Sequence, residues 1–254
     1  MKVCSVAVDR KTVASKAKLM RKTIGKKNVL VISECGFIGL RIVEALFQRS
    51  YKVRILDNLS TGKLENIASI SGQNVEVLVG DVADLSTVEV AMQGCEYVFH
   101  EATIASVPKS VNDPVGTAKV NYGGILNVLH AARKLDVRHV VFAGSAAVYG
   151  DEPTLPENES MPANPITPYG VDKLASEVMG HFYTRTLGLE FVYLHNLTAK
   201  NLQPIHKQPR PGDIRHSLAH NTALQALGWS PSISIREGLP ELLQPTHQGV
   251  EAKK

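Results

Sequence analysis

Cysteine is scarce. Cys4, Cys35 and Cys95 are the only three in 254 residues, and no two form a CxxC pair. An odd, scattered set builds neither a disulfide framework nor a thiolate metal site. No metal is therefore expected, and a reducing, cytoplasmic compartment fits best. Long apolar runs are also missing. None approaches the roughly 18 residues that a membrane-crossing helix needs, so no membrane partner is expected. Acidic residues are absent from positions 10–27, which hold Arg10, Lys11, Lys16, Lys18, Arg21, Lys22, Lys26 and Lys27. The simplest reading of that stretch is a solvated N-terminal extension, with a targeting peptide or a nucleic-acid arm as open alternatives. Beyond it the chain is close to charge balance, which argues against a nucleic-acid-binding domain.

What remains is ordinary for a globular protein: 44% hydrophobic and 20% charged residues, enough chain for one large domain or one and a half small ones. Val29–Ile32 is a continuous apolar run, the mark of a strand buried on both faces. Further strands are expected at 52–56, 75–79, 97–100, 140–143 and 190–194. Helical patterns fall between them, through Ile42, Val43, Leu46 and Phe47, around Val120–Leu135, and from Tyr169 to about Leu187. Alternating strands and helices predict an α/β fold, a doubly wound parallel sheet of the NAD(P)-binding Rossmann kind. Acids and hydroxyls follow the strand ends, where such sheets bind ligands. Asp57 lies about twenty residues past the first strand's turn, placed to hold adenosine ribose hydroxyls. A carboxylate there repels a 2′-phosphate and favours NAD over NADP. Asp81 follows the third strand, where it could accept from the adenine amino group or cap the next helix.

The stretch from Ser145 to Lys173 carries the chemistry. Tyr169 and Lys173 sit four apart, on one face of a helix. An ammonium beside a phenol is expected to lower its pKa from about 10. Such a phenol can take a proton from a substrate hydroxyl near neutral pH, with Ser145 binding or relaying it. Chemistry of this kind removes hydride from a carbinol carbon, and the hydride needs an acceptor.

Residues 28–194 resemble the extended short-chain dehydrogenases, the NAD-dependent epimerase/dehydratase family. The strings that carry the likeness are Gly36-Phe37-Ile38-Gly39, Asp57 to Gly62, Gly80-Asp81-Val82, Val107 to Pro114, Asn121, Ser145 to Gly150 and Tyr169 to Lys173. The nearest subgroup is the UDP-glucose and UDP-N-acetylglucosamine 4-epimerases. The resemblance implies that Tyr169 is the base, that Lys173 also holds the nicotinamide ribose, and that Ser145 assists at the sugar hydroxyl. By the same likeness NAD is contacted by Gly36, Phe37, Ile38, Asp57, Asn58, Ser60, Thr61, Gly62, Asp81, Val82, Ala102, Asn121, Tyr169 and Lys173. Arg210-Pro211-Gly212-Asp213 resembles a late motif whose Arg contacts the sugar-nucleotide diphosphate and whose Asp lies near the nucleoside. Arg suits forked phosphate binding. Leu224 to Gly238 resembles the family's closing helix and turn. The family oxidises C4 of a UDP-sugar, turns the keto sugar over, and returns hydride to the other face. It also dimerises through helices that include the Tyr-Lys one, which implies a homodimer here.

Four features depart from that pattern. Where the family's first turn begins with Gly and a second small residue, this chain has Ser33 and Glu34. Glu34 sets a carboxylate near a pyrophosphate, a repulsion of about 1 kcal/mol in water and about 4 kcal/mol at a protein surface. His195-Asn196 stands where Arg-x-x-Asn is usual, and His220 where Asp is usual; both His read as surface or packing residues. Arg210 comes only fourteen positions after Asn196, so residues 200–254 are expected to be a much shortened substrate lobe, after a 1–27 extension and a 28–199 Rossmann domain. Ala146 and Ala147 follow Ser145 where dehydratases and decarboxylases carry acids, which favours epimerisation. A nucleotide-binding regulatory protein and a nucleotide-sugar dehydratase remain as alternatives.

Overall fold

The computed structural model describes residues 28–32, 37–62, 74–154, 156–196, 222–231 and 233. Six strands form one sheet: β1 (Asn28–Ile32), β2 (Lys52–Asp57), β3 (Val75–Val79), β4 (Tyr97–His100), β5 (His139–Ser145) and β6 (Glu190–Asn196). Every pairing is parallel, and the order is β3-β2-β1-β4-β5-β6. The helices between them are α1 (Phe37–Gln48), α2 (Leu85–Met92), α3 (Val107–Asn112), α4 (Pro114–Lys134) and α5 (Pro168–Leu187). The strand order reverses between β1 and β4. In a doubly wound sheet, ligands bind in the crevice at that point, outside the strands' carboxyl ends.

Strand alternation builds two cores. Leu30 and Ile32 join Val98, Val140 and Phe142 beneath α2, α4 and α5, which contribute Val88, Ile125, Leu129 and Tyr183. Val29 and Val31 join Val53, Ile55 and, from α1, Val43 on the opposite face. Burial on both faces is why β1 has no polar alternation.

Local chemistry fixes the helix starts. Asp113 caps α4 by accepting from Gly116 N–H at 2.9 Å, and Pro114 fills the first position, where a missing N–H does no harm. Thr167 caps α5 in the same way, accepting from Gly170 N–H at 3.0 Å ahead of Pro168. These caps place the start of α4 six residues before the hydrophobic pattern suggests. The cap of α2 is Asp84, whose carboxylate accepts from Ser86 N–H. Asp81 instead closes a tight turn by accepting from Ala83 N–H, so the helix-cap reading of Asp81 moves to Asp84.

The chain divides into two compact units. The second has as its described part a short helix, α6 (Thr222–Ala226), and the turn after it. There Trp229 N–H reaches back to Leu224 O, and Gly228 takes φ +81°. The closing helix and turn expected over Leu224 to Gly238 lie partly in this stretch; residue 232 and those from 234 on are outside the described residues.

Candidate functional site

Strand β5 delivers Ser145 to the carboxyl edge of the sheet, and the chain turns at once into a 3-10 segment, Ala146–Tyr149. Ser145 Oγ accepts from Ala147 N–H, which shapes that turn. Helix α5 then returns across the same edge. Its first turn comes close enough that a Cβ at Gly170 would lie 2.5 Å from Ala147 O. Only glycine permits this approach, and it brings Tyr169 to Ser145. The Ser145 side chain hydrogen-bonds the phenol and pulls its pKa down, but burial is the larger effect and pushes it up.

The expected lowering by Lys173 is therefore not found. Lys173 Nζ lies 5.8 Å from the Tyr169 ring centre. It donates to Ala143 O at 2.6 Å and sits 4.5 Å from the centre of the Phe142 ring. The side chain is 2% exposed. Burial depresses its pKa to about 8, against the opposing pull of Glu101, Glu177 and Asp172. Sequence spacing places the two residues on one helix face, but it does not reveal that the ammonium is engaged by a strand carbonyl.

The rest of the site gathers around this cation. Asp172 is buried, and burial raises its carboxyl pKa despite a hydrogen bond from Asn121 and the charge of Lys173. Glu101 follows β4; burial raises its pKa and Lys173 opposes the shift. His100 is fully buried, stacked on Phe142, and neither ring nitrogen has a hydrogen-bond partner among the described residues. Burial, helped by Lys173, drops its pKa to about 3. Asn121 Oδ1 accepts from Thr103 Oγ and Ile104 N–H at 3.0 and 2.7 Å, pinning the loop after β4 beside Ala102. Glu101, Asp172 and His100 were missed as site residues. Asp172 lies inside the Tyr169–Lys173 string, but the gathering of buried His100 and Asp172 and half-buried Glu101 around one ammonium emerges only when β4, β5 and α5 converge.

The adenosine end is built at β2. Asp57 is buried and its Oδ1 accepts from Leu59 N–H at 2.7 Å, while Asn58 Oδ1 accepts from Ser60 N–H. Leu59 takes φ +56° inside this turn. Ser60 and Thr61 are exposed and Gly62 partly so, Asp81 is exposed, and Val82 is buried against α4 at Gly124. Phe37 opens α1, and Ile38 after it is exposed. Gly36, Ser33, Glu34 and Cys35 lie outside the described residues, as do Arg210, Asp213 and His220. Among the described residues no group of His, Cys, Asp and Glu could hold a metal, and no helix is long and apolar enough to cross a membrane.

The family model described as "NAD dependent epimerase/dehydratase family" matches residues 29–200. The chain belongs to that family. Among the family's curated members, a UDP-glucose 4-epimerase of Mycolicibacterium smegmatis is 38% identical over 164 residues, covering 63% of this chain and 52% of that protein. Two solved structures overlay the fold. The UDP-glucose 4-epimerase of Thermotoga maritima with UDP-glucose has TM-score 0.74 and 25% identity, over 84% of this chain and 96% of that one. The Thermus thermophilus UDP-glucose 4-epimerase with NAD has TM-score 0.73 and 27% identity, over the same shares of 84% and 96%. The chain spans about half the length of the curated family members it matches.

Proposed function

We propose that this chain is an NAD-dependent UDP-sugar 4-epimerase, acting on UDP-glucose or UDP-N-acetylglucosamine. The observation that carries the reading is the Tyr169 phenol hydrogen-bonded to Ser145 at the carboxyl edge of β5, with the Lys173 ammonium buried beneath it. The residues present fit the cofactor. A carboxylate, Asp57, ends β2, and Asn58 to Gly62 after it hold no basic residue, which suits unphosphorylated ribose. A buried cation stands at the opposite end of the switch-point crevice. Asp57, Asn58, Ser60, Thr61, Gly62, Asp81 and Val82 would hold the adenosine half. Ala102, Asn121, Tyr169 and Lys173 would hold the nicotinamide half, with Gly36, Phe37 and Ile38 at the pyrophosphate. When bound, NAD would supply the hydride acceptor for sugar C4 and the donor for its return.

The chain's own residues handle the proton. Tyr169 accepts it from the C4 hydroxyl, through or beside Ser145, as the C–H electrons leave; the carbinol becomes a ketone. After the keto sugar turns over, Tyr169 returns the same proton to oxygen, and the other C4 epimer results. Lys173 supplies fixed positive charge that favours the phenolate once substrate excludes water. Arg210 would bind the diphosphate and Asp213 the nucleoside. Ala146 and Ala147 leave no acid beside Ser145 for elimination, which supports epimerisation over dehydration.

Tyr169→Phe is the test. Conversion of UDP-glucose to UDP-galactose is expected in the wild type and should fall by about 10²–10⁴-fold in the variant. Equal inertness of the two proteins toward UDP-hexoses overturns the enzyme reading. In that event Ser33 and Glu34 favour a nucleotide-binding regulatory protein. The reading also includes a homodimer, because α5 presents an apolar stripe away from the site, and a cytoplasmic setting, because the buried Cys95 is a free thiol.

A further inference from the structure

Within the Val107–Pro114 string, one side chain has a place that the reaction scheme above leaves unused. Ser110, in α3, is 0% exposed. Its hydroxyl donates to Val107 O at 2.7 Å and accepts from Tyr169 N–H at 3.2 Å. Tyr169 is the second residue of α5, and N–H groups in a helix's first turn have no intrahelical partner. Thr167 serves the neighbouring N–H, that of Gly170. The Tyr169 N–H is instead met by a hydroxyl from a different helix, fifty-nine residues earlier. We propose that Ser110 is a positioning residue for Tyr169, fixing the backbone from which the phenol reaches Ser145.

The inference rests on the reading of Tyr169 as the base. The start of α5 is held on two sides. Gly170 abuts the turn after Ser145 at Ala147 O, and Ser110 holds the backbone one residue earlier. Serine is suited because its hydroxyl donates and accepts at once. Alanine there would leave the Tyr169 N–H and the Val107 carbonyl without that link. Small displacements matter at a reacting group: a 1 Å misplacement can lower a rate by about 10²-fold.

Two readouts test it on the full chain. The first needs no turnover. The tyrosinate absorbance of the Tyr169→Phe variant, subtracted from that of the wild type across pH, isolates the ionisation of Tyr169. The same subtraction is made in a Ser110→Ala background. Loss of alignment weakens the Ser145 hydrogen bond, so the phenol should ionise about half a pH unit or more higher in Ser110→Ala. Ser110→Cys, which keeps a weak donor and acceptor, should fall between. The second readout is kinetic: kcat should fall about 10–100-fold with KM within about twofold. An unmoved Tyr169 titration together with unchanged kcat overturns the proposal. If Ser110→Ala does not fold, Ser110→Cys alone decides, and its coincidence with the wild type in both readouts is equally fatal. A wild type without turnover sinks the epimerase reading, while the titration still decides the role of Ser110.

Discussion

Lys173 is a cation held where water does not reach, and its energetics can be read from pH. Its pKa is depressed from 10.5 to about 8, chiefly by burial. Between those values the unfolded chain holds a proton that the folded chain has released, so stability rises with pH across that window. Below about pH 8 the folded protein carries the full penalty, on the order of 3 kcal/mol. Lys173→Met should therefore gain stability relative to wild type near neutral pH, and that advantage should shrink as pH rises from 8 toward 10.5. Urea midpoints of the two proteins at pH 7, 9 and 10.5, buffers chosen around the two pKa values, measure the gap. A gap that stays constant across the window would contradict the burial argument. Glu34 is the second residue whose charge can be tested. The double variant Ser33→Gly, Glu34→Gly should bind NAD about tenfold or more tightly, since removing a surface-strength repulsion is worth a few kcal/mol. Calorimetry giving equal dissociation constants would show that the wild-type turn accommodates both residues. At this scale spacing alone placed Tyr169 and Lys173 on one helix face, and the structure has both at the start of α5 with Tyr169 against Ser145. Spacing misjudged the ionisation of Tyr169, because burial outweighs any nearby charge there, and burial is not encoded in spacing.

At the scale of elements, the site depends on how closely the start of α5 packs on the turn after β5. Gly→Ala inside a helix ordinarily stabilises by about 1 kcal/mol. Gly170→Ala should do the opposite. The new methyl would meet the Ala147 carbonyl, a backbone atom at 2.5 Å that cannot swing aside. The first turn of α5 must then retreat from Ser145, with a stability loss of about 1–3 kcal/mol and a fall in kcat of about 10–100-fold. A variant more stable than wild type, by thermal melting, would mean the two segments are not in close contact. Strand positions and a parallel sheet were legible in the sequence, because β1 and β5 are apolar runs bounded by turn residues and the helices alternate with them; the order of the strands was not. The exact helix starts were less so: Asp84 rather than Asp81 caps α2, and Asp113-Pro114 starts α4 ahead of its apolar pattern. Caps are chosen by backbone geometry among several nearby acids, and hydrophobic periodicity is silent about which one wins. Ser110 was visible as part of a motif, but its partner is fifty-nine residues away, and no local pattern links the two.

For the whole molecule, the sheet leaves one side of α5 without a partner among the described residues. The buried side of the helix carries Lys173, Ser176, Gly180 and Tyr183. Val171, Val178 and Phe182 recur at i, i+7 and i+11 on another stripe, and they are 51%, 57% and 47% exposed. Ala175 lies between them, so four successive positions of the stripe carry no charge until Arg185. A second copy of the same helix is the simplest cover, since a two-fold axis lets one apolar stripe meet itself. A stable interface buries about 800 Å² per partner, more than these side chains alone supply, so neighbouring surface must join it. A charge in the middle of such an interface is strongly unfavourable when it loses water without gaining a partner. Val178→Glu together with Phe182→Glu should therefore sediment as a monomer where the wild type sediments as a dimer. The variants should stay folded, because both side chains point away from the core cluster. Turnover should fall with them, because the helix that would pair carries Tyr169 and Lys173, and losing such a partner would loosen the site from behind. A wild type that sediments as a monomer at every concentration, or a variant that dimerises as well as the wild type, would remove α5 as the meeting surface.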